Sequence, residues 1–100
     1  MSAFRIRLTG EARADLLRLT VYWRDIDVAT AQRARIAIEQ AFTLLRDFPF
    51  SCRKADDAQP FLREMLIPFS AAGYVALFEI DDADTVTVLA IRHQREDDYH

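Results

Sequence analysis

The sequence predicts a small α+β domain: an N-terminal strand, an antiparallel helical hairpin, then a three-stranded antiparallel meander. Three observations carry that prediction. Apolar residues recur at helical spacing through the first half and at strand spacing in the second. The break between the two helical stretches is so short that the helices must fold back on each other. The remaining strands follow one another with short turns, and helices segregated before a meander build a helix layer on a sheet. One hundred residues, 51% hydrophobic and 29% charged, make a single domain over 1–100.

Phe4, Ile6 and Leu8 alternate with Arg5 and Arg7, the period of a strand with one buried face. Thr9 is placed to cap a helix, with Glu11 in the first turn beside the positive helix end. Ala12, Leu16, Leu19 and Trp23 then mark one face of a helix from about residue 10 to 24. Asp25 to Asp27 break it. Ala31, Ala34, Ile38, Ala41 and Leu45, widened by Phe42, mark a second helix that starts near Val28. Pro49 ends that helix by pushing Phe48 out of α geometry.

Residues 49–60 read as a polar loop between Pro49 and Pro60. Phe61 to Ile67 is a strand stopped by Pro68, and Gly73 to Ile80 is the next, with Tyr74, Ala76, Phe78 and Ile80 on one face. Asp81 to Asp84 form a turn. Thr85 to Arg92 is rich in β-branched residues and apolar on both faces, which places it inside the sheet. The tail from His93 to His100 is polar.

Composition excludes several classes. The single cysteine, Cys52, makes no internal disulfide, and no paired Cys or His spacing suggests zinc, so a reducing cytoplasm is expected. No signal-peptide core and no membrane span is legible. Residues 1–54 hold ten Arg or Lys against six Asp or Glu, and residues 55–100 hold three against ten. The basic half suits an acidic partner. The overall pI near 5.3 argues against strong direct nucleic-acid binding. No phosphate loop, dinucleotide fingerprint or hydrolase elbow is present, and no cofactor is expected.

In this order the fragments resemble the ParE/RelE toxins, ParE most closely. Leu8-Thr-Gly-Glu-Ala-Arg-Ala-Asp-Leu16 is similar to the family's opening, and Tyr22-Trp23 to the aromatic end of its first helix. Leu44-Leu-Arg-Asp-Phe-Pro49 resembles its helix end, Leu62-Arg63 the start of its second strand, and Val86-Thr-Val-Leu-Ala-Ile-Arg-His93 its last strand, followed by Arg95 and Tyr99. The resemblance spans nearly the whole chain. It implies the toxin of a type II toxin–antitoxin module, neutralised by a ParD-like antitoxin whose C-terminal segment wraps it. ParE members poison DNA gyrase by binding, and RelE members cleave mRNA on the ribosome.

The residues weigh these activities. A nuclease of this kind needs a group to move the 2′-hydroxyl proton and cations to hold the phosphate. His93 falls where RelE has a catalytic Arg and Tyr99 where it has its Tyr, with Arg63 as a phosphate clamp. Each also has a plain structural reading: His93 as a hydrogen-bonded strand end, Tyr99 as packing under the tail. Arg63 shares a face with Phe61, Met65 and Ile67, so it calls for a partner carboxylate or a functional surface. Arg53, Lys54, Arg92 and Arg95 are the remaining candidates for phosphate or target contact. Glu96 to Asp98 with His93 and His100 read as a solvated acidic tail rather than a metal site. Arg5, Arg13 and Trp23 are expected to meet the antitoxin, which lays an amphipathic helix on the hairpin and an extended segment along the sheet. The ParE-like opening, the acidic pI and the incomplete RelE set favour gyrase inhibition without catalysis. An mRNA endonuclease and an inactive toxin-like binding module are the alternatives.

Overall fold

The computed structural model describes residues 3–69 and 73–93. Its elements run β1 (Arg5–Leu8), α1 (Gly10–Ile26), α2 (Val28–Asp47), a 3-10 turn (Pro49–Ser51), β2 (Arg53–Asp56), β3 (Gln59–Ile67), β4 (Tyr74–Ile80) and β5 (Thr85–His93). The expected α+β sandwich is present, with one strand more than the sequence predicts. The five strands lie in the order β1-β5-β4-β3-β2. β2 to β5 form an antiparallel meander, and β1 pairs parallel to β5 from the far side.

β2 falls inside the stretch read as a polar loop. All four of its residues are exposed, so it carries no apolar alternation that would announce a strand. Backbone pairing to β3 defines it, together with a 2.7 Å ion pair from Arg53 Nε to Glu64 Oε1. Asp56 turns the chain by accepting the Ala58 N–H at 2.9 Å.

Thr9 caps α1, its hydroxyl oxygen accepting the Ala12 N–H at 3.0 Å. That interaction stabilises a helix by about 1 kcal/mol. The helix runs two residues past the expected end, and the break narrows to Asp27, which closes α1 and caps α2. The Asp27 carboxylate accepts both the hydroxyl and the N–H of Thr30. Those bonds, the hydroxyl first, lower its pKa from the ordinary 3.8.

The core lies between the hairpin and one sheet face. Leu19 and Leu45 from the helices meet Met65, Ile67, Tyr74, Ala76, Phe78, Ile80, Val86, Val88 and Ile91 from the strands. Fully burying a side chain such as Phe78 contributes roughly 1.5–3 kcal/mol. β5 sits inside the sheet, as its composition implies. Its register shifts opposite Leu77 and Phe78, which pair with Ala90 and Val88 and leave Leu89 bulged. The bulge breaks the period of two, so Val86, Val88 and Ile91 all face the core. That is why β5 reads as apolar on both faces.

Gly73 lies just before β4, not in it. Its φ is +90°, and a Cβ there would stand 2.4 Å from the Ile67 carbonyl oxygen. Only glycine meets both demands without strain.

Candidate functional site

β1 ends at Leu8 opposite Val88, so from Leu89 onward the outer edge of β5 has no strand beside it among the described residues. Its main-chain groups need other partners, and the start of α1 supplies them. The Thr9 N–H donates to the Val88 carbonyl at 3.1 Å, and the Thr9 hydroxyl donates to the carbonyl of bulged Leu89 at 2.9 Å. The Asp15 carboxylate accepts the Ile91 N–H at 2.9 Å and the Arg92 guanidinium at 2.7 Å. Arg18 holds its other oxygen at 3.3 Å, and Glu11 holds the second arm of Arg92 at 2.8 Å. Asp15 is only 6% exposed. A buried carboxylate persists where its charge is paired and hydrogen-bonded.

The open face of the sheet carries a shallow depression of about 520 Å³. Val75, Leu77 and Ala90 form its apolar floor, with Arg53 and Glu64 at one side and Arg92 and Glu11 at the other. Both arginines are joined to carboxylates of their own chain. Among the described residues, the cations that line this depression are therefore each paired with carboxylates.

Arg63 projects from the opposite face. It pairs in register with Phe78, on the core side of β4. Its guanidinium donates to the carbonyls of Pro60 at 2.7 Å, Cys52 at 2.8 Å and Phe50 at 3.3 Å, and stacks 5.4 Å from the centre of the Phe50 ring. The partner that its sequence position calls for is thus main-chain carbonyl, not carboxylate. Arg63 clasps the Pro49–Ser51 turn and the entry to β2 onto β3.

His93 lies opposite Tyr74, their rings edge to face at 5.7 Å. It shares a face with Arg63 but sits two strands away and four residues along β4. Four residues span about 13 Å of strand, so Arg63 and His93 do not converge on one phosphate. Tyr99 and Arg95, with Glu96, Asp97, Asp98 and His100, lie outside the described residues. Lys54 is exposed on β2.

Between the two helices runs an apolar groove of about 240 Å³, lined by Leu16, Leu19, Trp23, Ala34, Ile38 and Phe42 among others. The alanines of α2 let the helices approach closely. Trp23 closes one end, its indole N–H donating to the hydroxyl of Tyr74 and its ring set edge-on against Tyr22 and Phe69. Burial pushes the Tyr74 hydroxyl above its ordinary pKa, so it stays protonated at neutral pH. Arg5 on β1 and Arg13 on α1 are both exposed.

Sequence reasoning passed over Asp15, Glu11 and Glu64 as site residues. The signal for Asp15 is an acid inside the apolar stripe of α1, matched by Arg92, the one Arg, Lys, Asp or Glu in β5. Burial raises the Cys52 pKa despite the nearby Arg63, which keeps the thiol protonated and unreactive. Among the described residues no group of three or more His, Cys, Asp or Glu could hold a metal ion. Nor is any helix among them long and apolar enough to cross a membrane.

The sequence profile for the ParE toxin of the type II toxin–antitoxin system parDE matches residues 6–98. No curated protein sequence matches the chain. Among solved structures the fold is similar to a chain of the chromosomal ParDE TA system from P. aeruginosa. The TM-score is 0.65 at 16% identity, covering 90% of this chain and 95% of that one.

Proposed function

The chain belongs to the ParE toxin family of type II toxin–antitoxin systems, and from that premise we propose that it arrests growth by binding DNA gyrase, with no catalytic step of its own. The observation that carries this reading is how the described candidate arginines Arg53, Arg63 and Arg92 are engaged within their own chain. Arg53 and Arg92 face the open sheet already bound to Glu64, Glu11 and Asp15, and Arg63 is turned away onto main-chain carbonyls. An RNA-cleaving site needs cations free to take up phosphate charge in the transition state. Here that charge is matched internally, which supports a surface for another protein rather than for RNA.

The antitoxin is a ParD-like protein that lays an apolar helix face into the α1/α2 groove. Acidic groups on it meet Arg5 and Arg13, and their contribution is largest in low salt. An intracellular target places the toxin in the cytoplasm.

Induced expression without antitoxin tests the reading in cells. The expected result is growth arrest with a DNA-damage response and intact mRNA 5′ ends on primer extension. Arrest with new mRNA ends at codon boundaries would assign ribosome-dependent cleavage instead. Unimpaired growth would leave a binding module without toxicity.

A further inference from the structure

We propose that the β2 edge is a self-association surface, on which two copies of this chain pair their β2 strands antiparallel about a twofold axis through Ala55. The two five-stranded sheets then join into one.

Among the described residues β2 is the outermost strand, bonded to β3 on one side, with a shift of register between Lys54 and Asp56, and to no strand on the other. Its sequence, continued into the turn, is Arg53-Lys54-Ala55-Asp56-Asp57, two cations and two anions mirrored about Ala55. In an antiparallel pair centred on Ala55, Lys54 stands opposite Asp56 of the second copy, and Asp56 opposite its Lys54. Arg53 and Asp57 face each other one step further out. Residues directly opposed across such a pair lie on the same face, where opposite charges attract. Edge strands are usually guarded by charge, but a guard of one sign repels its own copy. This edge attracts its copy in one orientation, since a parallel alignment would set Lys54 against Lys54. Lys54 is the chain's only lysine. Arg53 is already joined to Glu64 within its own chain. Asp56 accepts the Ala58 N–H and the Gln59 amide in its own turn, but an ionised carboxylate keeps further lone pairs for Lys54 of the second copy, so the Lys54–Asp56 pairs carry most of the selectivity.

The apolar surface beside the strand points the same way. Phe48, Phe50 and Phe61 are 62%, 52% and 53% exposed. Phe50 and Phe61 pack edge to face at 6.2 Å. Arg63, in register with Lys54, stacks on Phe50, which sets this aromatic pair on the face to which Lys54 projects. A two-stranded contact of four residues is marginal alone. Aromatic surface flanking the axis from both copies supplies the burial that the strands lack. The arrangement is isologous and closed, so it stops at two copies.

Sedimentation of the full-length chain over a concentration series tests this. A concentration-dependent dimer is expected. K54D should weaken it by about tenfold or more, and D56N, which keeps an acceptor for the Ala58 N–H, should weaken it by a smaller factor. In a C52S background, A55C should form a disulfide-linked dimer on mild oxidation. Opposed Cα atoms across an antiparallel pair are about 4.5–5.5 Å apart, within disulfide reach. A chain that stays monomeric throughout overturns the proposal. So does a dimer indifferent to both substitutions, or an A55C chain that does not cross-link.

Discussion

The Asp15 carboxylate on α1 grips Arg92 of β5 at 2.7 Å, and through the same oxygen accepts the Ile91 N–H at 2.9 Å. One buried side chain thus stands in for a strand at the edge of β5 and serves as counter-ion for one of the two arginines that line the open-face depression. It fixes the hairpin to the sheet and removes Arg92 from the charge available to a phosphate.

Asp15→Ala should lower stability by about 3 kcal/mol, because it leaves a buried N–H and a guanidinium without their acceptor. Asp15→Asn keeps an acceptor for the Ile91 N–H and should cost less. Urea unfolding midpoints of the two variants check the order. Equal midpoints for both variants and the parent would mean that the pair holds nothing together.

Gly73→Ala should destabilise by about 1–3 kcal/mol, since alanine at positive φ is strained and its Cβ meets the Ile67 carbonyl oxygen. Thermal melts beside a control alanine substitution at Gly10, which has nothing within 4 Å of an added Cβ, isolate the effect.

Asp27 supplies a pH dependence whose sign is fixed. Its folded pKa is depressed, chiefly by the Thr30 hydroxyl. The stability it contributes is therefore present above the ordinary carboxylate value of 3.8 and is lost as pH falls through the lower folded value. Asp27→Asn retains an acceptor for Thr30 and should flatten that part of the acid limb. Melting temperatures from pH 6 to pH 2.5 for parent and variant give the comparison.

Much of this fold is legible in the sequence because its elements declare themselves by period. The Ala12 to Trp23 stripe, the Thr9 cap, the proline after Phe48 and the alternation of Tyr74 to Ile80 all stand in the structure as written. β2 is hidden because a fully exposed edge strand buries nothing that would imprint alternation. The bulge at Leu89 is hidden because only its neighbours' register reveals it. The site is less legible than the fold. Arg63 shares a face with Met65 and Ile67, which rightly demands a partner, but carbonyl partners leave no mark in a sequence. The Asp15–Arg92 pair joins positions 77 residues apart; an acid in the apolar stripe of α1 hints at a partner, but nothing local says which cation it is.

Arg63→Ala should cost stability, about 1–2 kcal/mol for hydrogen bonds from a charged donor and one cation–π contact. It should leave the toxicity of the remaining folded protein intact. Growth inhibition normalised to folded protein in the cell separates this from a phosphate clamp, whose removal would abolish toxicity at full stability.

Filling the interhelical groove should separate neutralisation from toxicity. Ala31→Trp places an indole in the groove that Leu16, Trp23 and Phe42 line. It should weaken antitoxin binding by about tenfold or more, as a lost buried anchor does, while growth arrest persists. Calorimetric titration with the cognate antitoxin provides the number.

The most direct test of the central claim is DNA supercoiling by purified gyrase with increasing amounts of the full-length protein, beside a matched translation reaction. The account predicts that supercoiling is lost, that cleaved DNA accumulates on gyrase, and that translation proceeds with intact mRNA. Unaffected gyrase together with mRNA cut on the ribosome would contradict it, and would move the activity to the open face despite its paired arginines.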